Sequence, residues 1–213
     1  SNQAGEDNRD VARMSTLLAG FPVSVPGITV NRLCASALSA VNEAAKSIIA
    51  GEGDVYIGSG VECMSRAPWS VPKPTHTPSV QAPMMHDTTV GWRYNNPRMD
   101  EMYPIISLGE TAEAIAEEMK ISREDQDAFA LESQKRAINA INDGRFEDEI
   151  VPVEIPQKRG DALVFDVDEH PRYQAVDGTY ELATTAKELA KLRPVFKKGG
   201  TVTAGNSSGI NDG

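Results

Sequence analysis

Two hydrophobic periods run through the chain. Behind Asp10, the residues Val11, Met14 and Leu18 share one helical face and Gly20 follows as a stop, so a short amphipathic helix is predicted over residues 10–19. Pro22 and Pro26 break the next stretch, after which Ile28, Thr29 and Val30 have strand character and lead straight into Cys34. Over residues 35–50, Leu38, Val41, Ala45 and Ile48 recur at helical spacing up to Gly51, which predicts a second helix. The glycine-bounded run Asp54-Val55-Tyr56-Ile57-Gly58 reads as a buried strand. Strand, helix and strand in that order make a βαβ unit, so the expected class is α/β, with helices covering a parallel or mixed sheet.

The pattern dissolves after Pro68. Prolines at 68, 72, 74, 78, 83 and 97 exclude any long regular element and predict an ordered excursion up to Pro104. Ser107 and Glu110 have capping-box spacing, and Ala112, Ile115, Ala116 and Met119 then form one helical face. Ser122 and Asp125 repeat the device before a longer helix, whose apolar positions Phe129, Leu131, Ala137, Ile138 and Ile141 run up to Gly144. Residues 150–155 alternate like a strand but contain Pro152, which predicts an edge position. A short helix over 184–192, the run Thr201-Val202-Thr203 and a glycine-rich turn over 204–209 complete the reading. No internal repeat is visible.

Composition narrows the partners. With 31 acidic against 21 basic side chains the net charge is −10, and no basic stripe offsets it, so nucleic acid and anionic membranes are unsuitable partners. Hydrophobic residues at 40% and charged residues at 24% supply enough apolar material for a core and argue against disorder of the whole chain. Two cysteines, Cys34 and Cys63, make no disulfide framework, and no apolar run approaches the roughly 18 residues needed to cross a bilayer. A soluble protein of a reducing compartment, the cytoplasm, is expected. The ends read as cut: there is no initiating methionine, no signal-peptide pattern in the first nine residues, and the chain stops just after the glycine-rich turn, so targeting is not readable.

Cys34 is the residue with the most chemical promise, because it lies between a β-like run and the first turn of a helix. Backbone N–H groups and the helix dipole favour an anion there, and Ala35, Ser36 and Ala37 leave room for a substrate. A thiolate nucleophile also needs an oxyanion donor, for which the Cys34 backbone N–H is available, and a base. The alternative is a buried, inert cysteine. His76, His86 and His170 are the histidines on offer, and each reads as a solvated loop residue, while Cys63 reads as a small core filler. The glycines and hydroxyls of residues 204–209 suit close approach of a ligand, but neither a P-loop lysine nor a dinucleotide fingerprint is present. The cysteines and histidines are too scattered for zinc, so no metal is expected.

Taken together, these residues resemble a family. Asn31-Arg32-Leu33-Cys34-Ala35-Ser36-Ala37-Leu38-Ser39-Ala40-Val41 is similar to the nucleophile motif of thiolases. QAGEDNRDVARM at 3–14, GVECMSRAPW at 60–69, GETAEAIAEE at 109–118, SREDQDAFALESQKRA at 122–137, GRFEDEIVPV at 144–153 and GTVTAGNSSGINDG at 200–213 resemble thiolase segments in thiolase order. The resemblance departs at Cys63, where the family commonly has serine, at Ala37, where glycine is common, and at Leu108, where many members have methionine. The segment Tyr173 to Leu182 is also longer than in short thiolases, which loosens the register of Arg172.

The resemblance implies a layered αβαβα fold built of two duplicated halves, of which this chain would hold part of the first. By that scheme residues 1–68 are core with the nucleophile helix, 69–199 an inserted coenzyme A-binding loop domain, and 200–213 the return to the core. The implied reaction is thiolysis of a 3-oxoacyl-CoA or the reverse Claisen condensation, with Cys34 as nucleophile and coenzyme A as substrate rather than resident cofactor. Leu108, Arg172, Phe196, Ala204, Ser207 and Ser208 are the implied coenzyme A contacts. HDTTVGWRYNNP at 86–97 is most like thiolases acting on 3-oxoadipyl-CoA or general 3-oxoacyl-CoA. The family's asparagine, its GHP histidine and its second cysteine in a C-x-G-x-G stretch do not occur in these 213 residues, so the chain alone is expected to be inactive. A homodimer or homotetramer is implied for the intact protein. A ketosynthase-like condensing enzyme and a non-catalytic coenzyme A-binding piece are the competing readings.

Overall fold

The structure, a computed structural model, describes residues 10–74 and 82–213. The chain divides into two compact units, one spanning Ser1–Ile105 together with Ile210–Gly213, the other Ile106–Gly209.

In the first unit, helix α1 (Val11–Leu18) starts where the pattern predicts, with the Asp10 carboxylate accepting from the Arg13 N–H at 3.2 Å. Helix α2 (Ser36–Ile49) begins two residues after Cys34, with Ala35 as N-cap, and ends before Gly51, which has φ +76°. The residues predicted as strands on either side of it, 28–30 and 54–58, join no ladder. The second of these lies instead along α2. A Cβ on Gly58 would stand 2.8 Å from the Val41 Cα, and one on Gly60 would stand 2.7 Å from the Ala37 Cβ. Contacts two residues apart on the segment meet residues four apart on the helix, which is the match between an extended chain and an α-helix running in opposite directions. Glycine is required at both positions by this approach. None of the residues of α2 is buried: Leu38 and Ile49 are 65% and 85% exposed.

The excursion is ordered by short elements. A 3-10 turn at Met64–Arg66 precedes β1 (Trp69–Ser70), which pairs antiparallel with β2 (His86–Asp87). Thr88 beyond it is fully buried, and its hydroxyl donates to the Pro68 carbonyl. Helix α3 (Pro97–Met102) was not foreseen, although Asn96 as N-cap and Pro97 at the first helical position are its signal. The last residues return to this unit. Asp212 accepts from the Ser65 N–H and hydroxyl at 2.8 and 2.5 Å, which holds its carboxyl below the usual range.

In the second unit, α4 (Leu108–Glu118) carries the predicted capping box between Ser107 and Glu110, and α5 (Arg123–Asn142) is capped by Ser122. Their buried faces match the apolar stripes read from the sequence only in part, at Ala116 and Ile138. On α4 it is Glu113 and Ala116 that are buried, while Ile115 and Met119 are 48% and 68% exposed, and on α5 Phe129 is 79% exposed whereas Asp127 and Ile138 are buried. The predicted edge strand is β3 (Val153–Ile155), which begins after Pro152 and pairs with β4 (Leu163–Phe165). A second hairpin, β5 (Tyr173–Val176) with β6 (Thr179–Leu182), closes on Asp177 and Gly178, both at positive φ, the signature of a two-residue turn that favours Asp-Gly. Asn142 at the end of α5 holds this hairpin by taking both the N–H and the carbonyl of Tyr180, at 2.9 and 2.8 Å. Helix α6 (Ala186–Ala190) is capped by Thr185. Among the described residues the buried apolar side chains of this unit are Ala116 on α4, Ile138 on α5, Leu189 on α6 and Val202 in the final run.

Candidate active site and ligand-binding turn

Cys34 sits on a pinned turn. Leu33, just before it, is held at φ +51°, a left-handed conformation unusual for a side chain of its kind. Four hydrogen bonds hold that conformation. The Asn31 side-chain oxygen accepts from the Leu33 N–H at 2.9 Å. The Ser36 hydroxyl accepts from the Arg32 N–H at 2.9 Å and donates to the Leu33 carbonyl at 2.6 Å. The Ala35 N–H closes the turn on the Arg32 carbonyl at 3.1 Å. Cys34 is exposed in this chain, so the reading of it as a buried cysteine does not hold. Cys63 is half-buried at the mouth of the 3-10 turn, and both thiols are free.

The histidines fall in different settings. His86 is half-buried on β2 with its ring edge-to-face on Tyr94, centroids 4.9 Å apart, which makes it a packed side chain rather than a solvated one. His170 is exposed. His76 lies outside the described residues. Among the described residues no group of histidine, cysteine and carboxylate side chains is arranged to hold a metal ion, and no helix is long and apolar enough to cross a membrane.

The six residues implied as coenzyme A contacts all belong to the second unit. Arg172 and Ala204 are brought together: the Arg172 guanidinium donates to the Ala204 carbonyl at 3.3 Å, while its backbone N–H donates to Gln134 Oε1 at 2.7 Å. Ser207 donates its hydroxyl to the Thr203 carbonyl at 2.7 Å, whereas Ser208 is exposed. Phe196 lies against α4, so close to Gly109 that a Cβ there would stand 2.2 Å from the ring. The ring borders a cleft of about 380 Å³ whose other walls include Ile106, Ala114, Glu110 and Glu117. Glu117 is ion-paired with Lys197 at 2.5 Å, which raises the lysine's pKa. Leu108 opens α4 and is 83% exposed.

A polar network that the sequence did not disclose holds the final turn. Glu113, buried on α4, accepts from the backbone N–H groups of Thr201 and Val202 at 2.9 and 2.7 Å. Burial works against its charge, but these two N–H donors, the Thr201 hydroxyl and the Lys197 cation outweigh it, and the Glu113 carboxyl stays below the usual glutamate range. Asp127 on α5 pairs with Arg123 at 2.8 Å and accepts from Asn206 Nδ2 at 2.9 Å. Asn206 in turn accepts from the Thr203 N–H at 2.7 Å. Three consecutive N–H groups, those of Thr201, Val202 and Thr203, are therefore taken by side chains. This is why a run with strand composition forms no strand.

The chain as a whole is similar to known proteins. A family model described as the N-terminal domain of thiolase matches residues 1–213. The beta-ketoadipyl-CoA thiolase of Acinetobacter baylyi is 52% identical over 100% of this chain and 51% of its own length. Among solved structures, the Bacillus anthracis acetyl-CoA acetyltransferase superposes with a TM-score of 0.79 at 39% identity, covering 97% of this chain and 48% of that one. Human mitochondrial 3-ketoacyl-CoA thiolase gives 0.81 at 34% identity, covering 99% and 49%. The chain spans about half the length of the curated relatives it matches.

Proposed function

On the premise that this chain belongs to the thiolase family and holds part of its layered αβαβα fold, we propose that the protein carrying it is an acyltransferase with Cys34 as nucleophile. In this reading the Cys34 thiolate attacks the 3-keto carbon of a 3-oxoacyl-CoA, the C2–C3 bond breaks, and its electron pair leaves as the acetyl-CoA carbanion, which takes a proton. The thiol of a second coenzyme A then gives up its proton, attacks the thioester, receives the acyl group and returns the thiolate. The reverse sequence is a Claisen condensation. Covalent capture divides the C–C cleavage into two lower barriers.

The observation that carries the proposal is the exposed Cys34 on a strained turn pinned from both sides by Asn31 and Ser36. Strain held in place by local hydrogen bonds is characteristic of functional turns. The groups that move protons are proposed to come from the rest of the longer protein, since neither GHP nor C-x-G-x-G occurs in residues 1–213. Residues 69–199 are assigned to the loop domain and 200–213 to the core. Leu108 and Phe196 are assigned apolar contacts to adenine and pantetheine, Arg172 the cation near the adenosine phosphates, and Ala204, Ser207 and Ser208 the pantetheine arm. The name of the Acinetobacter relative favours 3-oxoadipyl-CoA as the substrate, and the family resemblance alone is the ground for proposing a cytoplasmic homodimer or homotetramer.

The test uses the full-length enzyme. Cys34→Ala is expected to abolish acyl-enzyme formation from 3-oxoadipyl-CoA, followed by mass spectrometry, while the calorimetric Kd for coenzyme A stays within about twofold. Ser208→Ala is expected to raise that Kd with the acyl-enzyme still formed. Turnover by Cys34→Ala would overturn the assignment of the nucleophile.

A further inference from the structure

The second unit spends its buried charges on one short stretch. A carboxylate buried as deeply as that of Glu113, 4% exposed, is costly unless donors satisfy it. Here it collects the Thr201 N–H, the Val202 N–H and the Thr201 hydroxyl, the last at 3.2 Å. Successive backbone N–H groups converging on one anion form a nest, normally used for a ligand, and here the anion is supplied by the chain itself. Gly200 makes the approach possible. A Cβ at that position would stand 2.2 Å from Glu113 Oε1, and its φ is not in the left-handed region, so the requirement is for space alone.

Beyond the anchored residues the chain turns. Thr203 and Asn206 close the turn on each other, and Ser207 bonds back to the Thr203 carbonyl, so residues 204–208 project from a base fixed at 201 and 202. Glu113 lies on a different element, 88 residues away in sequence from Thr201, and fixes that base against α4. Asp127 acts on the same turn through Asn206.

We propose that Glu113 is a positioning residue for ligand binding: its carboxylate sets the place of the 204–208 turn, and through it the affinity for the pantetheine arm of coenzyme A. The inference rests on the reading that this turn contacts coenzyme A. Glu113 does not touch the ligand, so its effect must pass through Ser208 and its neighbours.

Glu113→Gln keeps the shape but turns an NH2 group toward a backbone donor, and Gly200→Ala displaces the carboxylate while leaving it charged. Both, with Ser208→Ala and the Glu113→Gln/Ser208→Ala pair, are compared in the full-length enzyme by calorimetric titration with coenzyme A and by steady-state kinetics. Each single change is expected to raise the Kd and the KM for coenzyme A about tenfold, the scale of one lost charge-assisted hydrogen bond. For Glu113→Gln and Gly200→Ala the loss is expected in the KM for coenzyme A rather than in kcat, and the paired change is expected to be less than additive. A melting temperature lowered by Glu113→Gln with an unchanged Kd, while Ser208→Ala still weakens binding, would overturn the positioning role alone. An unchanged Kd for Ser208→Ala would overturn the coenzyme A reading of the turn and the positioning role with it. Should Glu113→Gln not fold, Gly200→Ala decides by the same criteria.

Discussion

Leu33 donates its backbone N–H to the side-chain oxygen of Asn31 at 2.9 Å while its own φ stands at +51°, one residue ahead of the exposed Cys34. A leucine in that region costs about 1 kcal/mol or more, whereas glycine adopts it freely. Leu33 is 77% exposed and so contributes little packing. Leu33→Gly is therefore expected to melt no lower than the parent and to gain up to about 1 kcal/mol. Asn31→Ala should lose about 1 kcal/mol and slow acyl-enzyme formation, since the turn then loses the acceptor that holds it. Thermal melts of both variants check the pair, and a Leu33→Gly protein destabilised beyond 1 kcal/mol would show the turn is not strained.

The two thiols should differ in access. Cys34 is exposed and Cys63 half-buried, with the Cys63 N–H bonded to the Glu62 side chain at 3.2 Å. Limited iodoacetamide treatment of the full-length enzyme at neutral pH, followed by peptide mass spectrometry, is expected to label Cys34 first, and coenzyme A esters should protect it. Preferential labelling of Cys63 would contradict both the geometry and the role given to Cys34.

What the sequence made legible follows the range of the interactions. The caps at Asp10, Ser107 and Ser122 involve partners three residues away, and all three formed as read. The place of Cys34 just ahead of a helix was legible for the same reason, since that helix begins two residues later. The β5–β6 hairpin was missed although its Asp-Gly turn is a local signal. Ala116 on α4 was readable but Glu113 beside it was not, because a glutamate at a core position looks like a solvent-facing residue until the N–H groups of Thr201 and Val202 arrive from the other end of the unit. Ile28 to Val30 and Thr201 to Thr203 have strand composition, but pairing depends on a neighbour that local pattern does not specify.

Glu113 also ties stability to pH. Its folded pKa lies below the usual glutamate range, so the unfolded chain takes up its proton first on acidification. The stabilisation is complete above the unfolded pKa, near pH 4.5, and is lost as pH falls through the folded value. Melting temperature should be level from pH 8 down to about pH 5 and then decline. Glu113→Gln is expected to lose about 2 kcal/mol at pH 7, one buried donor being left without its acceptor, and to show a shallower acid limb. Parallel melts from pH 3 to 8 check this, and identical acid limbs for the two proteins would exclude Glu113 as the group responsible.

Arg172 supplies the last prediction, because its backbone is fixed at two points while its side chain is not. Gln134 accepts from its N–H at 2.7 Å and its carbonyl accepts from the Ala183 N–H at 2.8 Å, which places the residue at the root of the hairpin. Among the described residues the guanidinium reaches only the Ala204 carbonyl, at 3.3 Å, in an exposed setting. A ligand phosphate is a stronger partner for guanidinium than a carbonyl is. If Arg172 meets the 3′-phosphate of coenzyme A, Arg172→Ala should weaken coenzyme A binding about fivefold at low salt, an exposed ion pair being worth about 1 kcal/mol. The difference should shrink toward 0.5 M salt as screening sets in. Dephospho-coenzyme A, which lacks that phosphate, should bind both proteins alike. Titrations of the two ligands against both proteins at two ionic strengths separate the cases, and an equal loss for both ligands would move the Arg172 contact away from the 3′-phosphate.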